Sequence, residues 1–200
     1  MKPVLLVLVF MVPSLVVSSF SYAETDAKVD KQKADLAATK AKAEAGDPEA
    51  QINLGVMYLD RDVVPRDVRQ AVYWFNKAAQ GDPVRQYMIG EIFTSRGLSA
   101  DRWYEKAADQ GHADAQYRTG VRYHHGHLVG TKTVGKNYLK AAQYFVKAAD
   151  QGHAKAQYML GEMYYKGEGV PKALDKALEW FRKAADQGHF NAQAMLRLLE

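Results

Sequence analysis

Residues 154–188 read AKAQYMLGEMYYKGEGVPKALDKALEWFRKAADQG. The stretch holds two helical patterns around one turn. Ala156, Leu160 and Tyr164 recur every fourth residue and share one stripe of a first helix. Ala177, Trp180, Phe181, Ala184 and Ala185 form the apolar stripe of a second, small residues beside large rings. Gly167-Glu168-Gly169-Val170-Pro171 turns the chain between them.

The pattern repeats along the chain. Gly46-Asp47-Pro48, Gly81-Asp82-Pro83, Gly111-His112-Ala113, Gly152-His153-Ala154 and Gly188-His189-Phe190 are equivalent, at spacings of 35, 30, 41 and 36 residues. Asp47 and Asp82, each followed by proline, read as helix N-caps. His112, His153 and His189 take the same position and read as cap residues too, held a repeat apart and so too distant to share a metal. Gly55, Gly90, Gly120 and Gly161 fall mid-helix, where glycine costs roughly 1 kcal/mol relative to alanine. Four in register predict a neighbouring helix crossing too closely for a Cβ. A lone helix pair cannot bury both apolar faces, so the pairs are expected to stack into an all-α, α-solenoid fold.

These residues resemble the Sel-one-like repeat family, a tetratricopeptide-like class of helix-turn-helix solenoids. The pattern Ala-Gln-x-x-Leu-Gly-x-x-Tyr, then Gly-x-Gly-Val-Pro, then Ala-x-x-Trp-Phe-x-Lys-Ala-Ala is met almost throughout by residues 154–188. Four recurrences extend the resemblance over about residues 34–200. The expected organisation is an export signal over 1–23, a capping helix over 24–45, and repeat units 46–80, 81–110, 111–151, 152–187 and a partial 188–200. The first unit replaces both turn glycines with Asp60-Arg61-Asp62. The second is about five residues short, with Ser99 expected to cap its second helix. The third is about five residues long, the excess falling in a turn between Tyr123 and Lys140. Leu196, Leu198 and Leu199 are expected to be partly uncovered.

Met1-Lys2, the apolar run Val4 to Val17 and the small residues Ser21 and Ala23 make the three-part pattern of a secretory signal cleaved after Ala23. The 14-residue run is short for a membrane span of about 20 residues. Cysteine is absent, which excludes disulfides, thiolate metal sites, a cysteine nucleophile and a lipid anchor on cysteine. An exported chain without cysteine suits a bacterial periplasm. Lys2 is the one charge before Glu24, and beyond it Lys and Arg exceed Asp and Glu by only three, with the signs interspersed. That balance argues against a nucleic-acid partner.

Motifs for chemistry are missing. The sequence has no Gly-x-Ser-x-Gly and no Ser-x-x-Lys. Gly167-Glu168-Gly169 lies between helices and not after a strand, unlike a phosphate-binding loop. Asp109, Asp150 and Asp186 are repeat-equivalent, so they cannot converge on one substrate. His124, His125 and His127, in the long turn, offer imidazoles to zinc or copper, but no cysteine or nearby carboxylate completes a set. They read instead as part of a variable basic loop, with Lys132, Lys136 and Lys140, that recognises a partner. The chain is therefore expected to be neither an enzyme nor a metal or cofactor carrier.

On the first helix of each pair, the side away from the core stripe carries Asn53 and Val56, Met88 and Glu91, Arg118 and Val121, and Met159 and Glu162. The resemblance implies that this helix lines a concave surface. Mixed apolar and charged residues there suit a protein or extended peptide. The expected role is a periplasmic adaptor that holds a protein partner. Resemblance to secreted members of the class implies two alternatives. One is an immunity protein that neutralises a toxic effector such as a phospholipase. The other, more distant, is a β-lactam hydrolase like the cysteine-rich relatives, whose cysteines this chain lacks.

Overall fold

The computed structural model describes residues 15–60, 63–129 and 132–199, with the backbone alone given for 15–27, 127–129 and 132–134. Lys2 and the apolar run as far as Ser14 lie outside the described residues. Helices α1 (Leu15–Glu44), α2 (Pro48–Leu59), α3 (Val68–Ala78), α4 (Pro83–Ser95), α5 (Asp101–Asp109) and α6 (Ala113–His125) are followed by strands β1 (His127–Val129) and β2 (Lys132–Val134). Then come α7 (Tyr138–Asp150), α8 (Ala154–Lys166), α9 (Leu174–Asp186) and α10 (Phe190–Leu199). The chain divides into two compact units, residues 1–74 and 75–200. No described helix is long and apolar enough to cross a membrane.

The helix ends follow from the repeated Gly-Asp-Pro and Gly-His pattern. Asp47 Oδ1 accepts from the backbone N–H of Glu49 and Ala50, and Asp82 Oδ1 from those of Val84 and Arg85. At the other end of each connection the chain needs a left-handed residue, and glycine supplies it at positive φ, as at Gly111 and Gly152. His112 N–H then donates to Ala107 O, and His153 N–H to Ala148 O, closing the last turn of α5 and α7. Ser99 does not cap α5. Ala100 takes that position without a side-chain bond, and the Ser99 hydroxyl donates to Asp101. The shortened second unit brings α4 to α5 through Gly97, leaving Ser99 one residue too early to cap.

In the first unit, Ala43, Ala50, Leu54 and Trp74 form the core, with Leu36, Met57 and Tyr58 packed against it. In the second, Phe145, Leu160 and Met163 are fully buried among the alanines of α7 and α8, and Phe181 among those of α9 and α10. Three of the mid-helix glycines, Gly90, Gly120 and Gly161, have the predicted reason. A Cβ at Gly120 would stand 2.7 Å from the Phe145 ring, and one at Gly161 2.6 Å from the Phe181 ring. Gly90 meets Tyr104 in the same way. Each ring of a second helix thus sits on the bare backbone of the first.

Glutamines tie consecutive pairs together. Gln86, Gln116 and Gln157 are buried, and each donates from Nε2 to the carbonyl of an alanine that ends the preceding helix: Ala79, Ala108 and Ala149. Their Oε1 atoms accept from Gln110, Gln151 and Gln187 at 2.6–2.7 Å. These bonds satisfy helix-end carbonyls that burial would otherwise leave unpaired.

The all-α expectation holds for the repeats, with one departure. The extra residues of the third unit fold as an antiparallel hairpin, Leu128 opposite Thr133. His124 and His125, expected in a loop, belong to the last turn of α6, and His127 opens β1.

Candidate functional site

The second unit presents a cleft of about 430 Å³ lined by Tyr87, Asp114, Tyr117, Arg118, His153, Ala154 and Lys155. It lies where α4, α6 and α8 succeed one another. Its floor is a recurring joint. His112 stacks on Tyr87 with ring centroids 4.6 Å apart, and His153 on Tyr117 at 4.7 Å. His189 stacks on Tyr158 in the next repeat, also at 4.7 Å. Each imidazole also caps its helix: Nδ1 accepts from the N–H of Ala115, Ala156 or Ala192. Because Nδ1 accepts, Nε2 of the neutral ring carries the proton. In His153 that N–H points at Asp114 Oδ1, 3.3 Å away.

Arg118, exposed at the wall of the cleft, is held by a chain of polar contacts. Its Nη2 donates to Glu91 Oε2 at 3.1 Å. The Tyr104 hydroxyl donates to Glu91 Oε1 at 2.6 Å and accepts from Thr94 at 2.8 Å. Burial and the Glu91 carboxylate push the Tyr104 phenol up to about 12, so it remains a donor near neutral pH. Lys155 is exposed and, among the described residues, forms no ion pair. The arrangement fixes one cation, leaves another free and exposes aromatic edges. It has no nucleophile beside a base.

The structure places the sequence-derived residues unevenly. Met88 is 46% exposed, and Val84, one turn before it, 56%. Arg118 and half-buried Glu91 share the network above. Val121 and Met159 turn inward and pack, half-buried, against the α7–α8 core, so the apolar contact there extends beyond the single stripe that periodicity marks. Glu162 is bound by Lys166 at 3.0 Å. In the first unit Asn53 is exposed and Val56 half-buried. His125 is exposed, and the side chain of His127 lies outside the described residues. His124 is largely buried, and its Nε2 lies 3.0 Å from Glu168 Oε2. That carboxylate, 44 residues away, was not visible as a neighbour in the sequence. Tyr87 and Tyr117 fall outside the helix face that periodicity selects, and His153 is expected from the sequence only as a cap. The sequence signal for the joint was the pairing of tyrosine in one repeat with histidine in the next.

A family model described as Sel1 repeat matches residues 48–83, 102–112, 113–153 and 154–189. Among solved structures, the protective antigen c5321 of uropathogenic Escherichia coli is 34% identical, with a TM-score of 0.59 over 78% of this chain and 34% of that one. A Sel1 repeat protein from Oxalobacter formigenes is 35% identical, with a TM-score of 0.57 over 82% of this chain and 48% of that one. The chain thus matches about a third and about half of the length of these two relatives. The immunity protein Pa5087 from Pseudomonas aeruginosa is 23% identical, with a TM-score of 0.40 over 82% of this chain and 68% of that one, a likeness that carries no argument about role. No curated protein matches the chain.

Proposed function

The chain belongs to the Sel1 repeat family, a protein-interaction fold, and we propose from that premise that it is a periplasmic adaptor holding a protein partner on the cleft side of α4, α6 and α8. The observation that carries this reading is the contrast between register positions. Positions facing the core repeat as Gln and Gly throughout, and as Ala in all but the second unit, where Arg85 stands, whereas the exposed Val84, Met88, Arg118 and Lys155 fall in two registers that read Glu49, Val84, Asp114, Lys155 and Asn53, Met88, Arg118, Met159. Val84 and Met88, one turn apart on α4, form an exposed apolar pair of the kind a protein partner covers. Arginine and tyrosine are also the residues that most often anchor protein interfaces. The N-terminal signal pattern and the absence of cysteine support export to the periplasm.

The test is affinity capture with the mature chain from periplasmic extract, the partner being identified by mass spectrometry. Reversing the charges at Arg118 and Lys155 (Arg118→Glu with Lys155→Glu) is expected to abolish capture while leaving helicity and Tm near wild type. Undiminished capture by the double variant would overturn the assignment of this face. A captured toxic enzyme that loses activity in the complex would make the adaptor an inhibitor.

A further inference from the structure

A second surface lies on α7, away from the cleft. Leu139, Ala142, Gln143 and Val146 of α7, with Gly169 and Val170 of the α8–α9 turn, line a mainly apolar groove of about 590 Å³. Leu139 is 62% exposed and stands in this groove beside Ala142, Val146 and Val170, a contiguous apolar lining. Lys140 and Lys147 lie on the same helix, Lys147 lining the groove, and Lys136 stands just before the helix start. From Tyr138 to Ala149 the helix carries no acidic residue.

The lysines are positioned by rings and not by carboxylates. Lys140 Nζ lies 5.0 Å from the centroid of Tyr123, Lys147 Nζ 5.5 Å from that of Tyr144, and Lys136 Nζ 5.8 Å from that of Tyr138. The carboxylates facing them from neighbouring elements are already engaged. Glu105 accepts from the Tyr123 hydroxyl at 3.0 Å and Asp109 from the Tyr144 hydroxyl at 3.3 Å. Glu168, beside Gly169, is bound to His124. Among the described residues none of the three lysines forms an ion pair.

The groove wall is preformed. Gly169 is at φ +71°, and any side chain there would collide with the Tyr138 carbonyl, so the turn lies directly on the start of α7. The His124–Glu168 contact pins the same turn from the end of α6. The histidine of the cluster that the sequence singled out therefore holds a wall of this groove.

We propose that the α7 groove docks an amphipathic segment of a partner protein, with apolar anchors in the groove and Asp or Glu side chains opposite Lys136, Lys140 and Lys147. Apolar lining selects the anchors, and the row of unpaired cations selects acidic flanks and rejects basic ones. A wall that needs no rearrangement keeps the ordering cost of binding low. This surface shares no residue with the cleft, so the two proposals stand or fall separately.

The experiment is an NMR titration of the isotope-labelled mature chain with a synthetic helical peptide bearing leucines on one face and glutamates on the other. Saturable shifts are expected at α7 amides and at Gly169 and Val170. Leu139→Asp, and separately Lys140→Glu with Lys147→Glu, should weaken binding about tenfold or more, in the range of interface anchors. Both sites are exposed, so the variants are expected to fold, which their spectra check. Arg118→Glu, on the other face, should leave peptide affinity unchanged. Equal binding of a leucine–lysine peptide, or undiminished binding by both α7 variants, would overturn the proposal. So would binding of phosphatidylglycerol vesicles through Leu139 without binding of the peptide, which would assign the groove to a membrane surface.

Discussion

Thr119 occupies the core register held by Leu54, Ile89 and Leu160 in the other repeats. It is 1% exposed, and its hydroxyl has no hydrogen-bond partner. A buried, unpaired hydroxyl costs about 1–3 kcal/mol in lost hydration, and a methyl group of similar size would carry no such cost. Thr119→Val is therefore expected to raise stability by about 1 kcal/mol or more, read as a higher midpoint in urea or heat. A lower midpoint would mean that the hydroxyl is satisfied in solution, and the burial argument would fail. The neighbouring residue behaves in the opposite way. Gly120 costs helix propensity, yet alanine there would press on Phe145, a fully buried ring with little room to retreat. Close approach at this position was readable in the sequence from the four glycines in register. The identity of the approaching group was not, because it comes from the second helix and depends on how far that helix is tilted.

At the scale of elements, the tyrosine–histidine joint explains a choice that capping alone leaves open. Asp47 and Asp82 cap as well as histidine does, but histidine adds a ring that stacks on the preceding repeat. The sequence obeys the pairing: Tyr87, Tyr117 and Tyr158 each precede a histidine cap, whereas Ile52, in the same register, precedes Asp82. Helix α10 lacks both halves of the joint. It carries Ala194 where α8 has Tyr158, and Arg197 where α8 has Gly161. Phe190 and Leu198 are left exposed, while Leu196 and Leu199 are half-buried against α9, a finer division than the expectation of three uncovered leucines. At His189 the joint also titrates. Burial, with Lys155 nearby, lowers the His189 pKa below its usual 6.5, and protonation would turn Nδ1 from acceptor to donor and break the cap to Ala192. The unfolded chain then binds the proton more readily than the folded one. The contribution is fully present above pH about 6.5 and lost as pH falls below that through the folded value. His189→Asp keeps an oxygen cap and removes this titration. The difference in stability between wild type and variant is expected to shift across that window, and a difference that stays flat from pH 7.5 to 5 would refute the link.

Over the whole molecule, legibility divided along one line. Periodicity, caps and repeat glycines are local in sequence, and they sufficed for helix pairs, their order and their buried stripes. The His124–Glu168 contact, the bonds from buried glutamines to preceding helix ends and the α7 groove join residues of different repeats, and the hairpin, though local to the third unit, breaks the helical period; no single-helix pattern contains any of them. The same division bears on stability. In a stack of repeats each pair contacts mainly its neighbours, so damage is expected to stay near its source. Phe145 is the place to test this in the second unit, since it fills the space left by Gly120 and contacts the Leu160–Met163 cluster. Phe145→Ala should cost about 3–5 kcal/mol. Hydrogen exchange by mass spectrometry should show the largest loss of protection in α6, α7 and α8, with α10 closer to wild type. An equal loss in all of these helices would mean that the second unit unfolds as one cooperative core, and the nearest-neighbour account would be wrong. If protection in α10 does persist, the α7 groove can loosen or tighten around a bound segment without unfolding the far end of the stack.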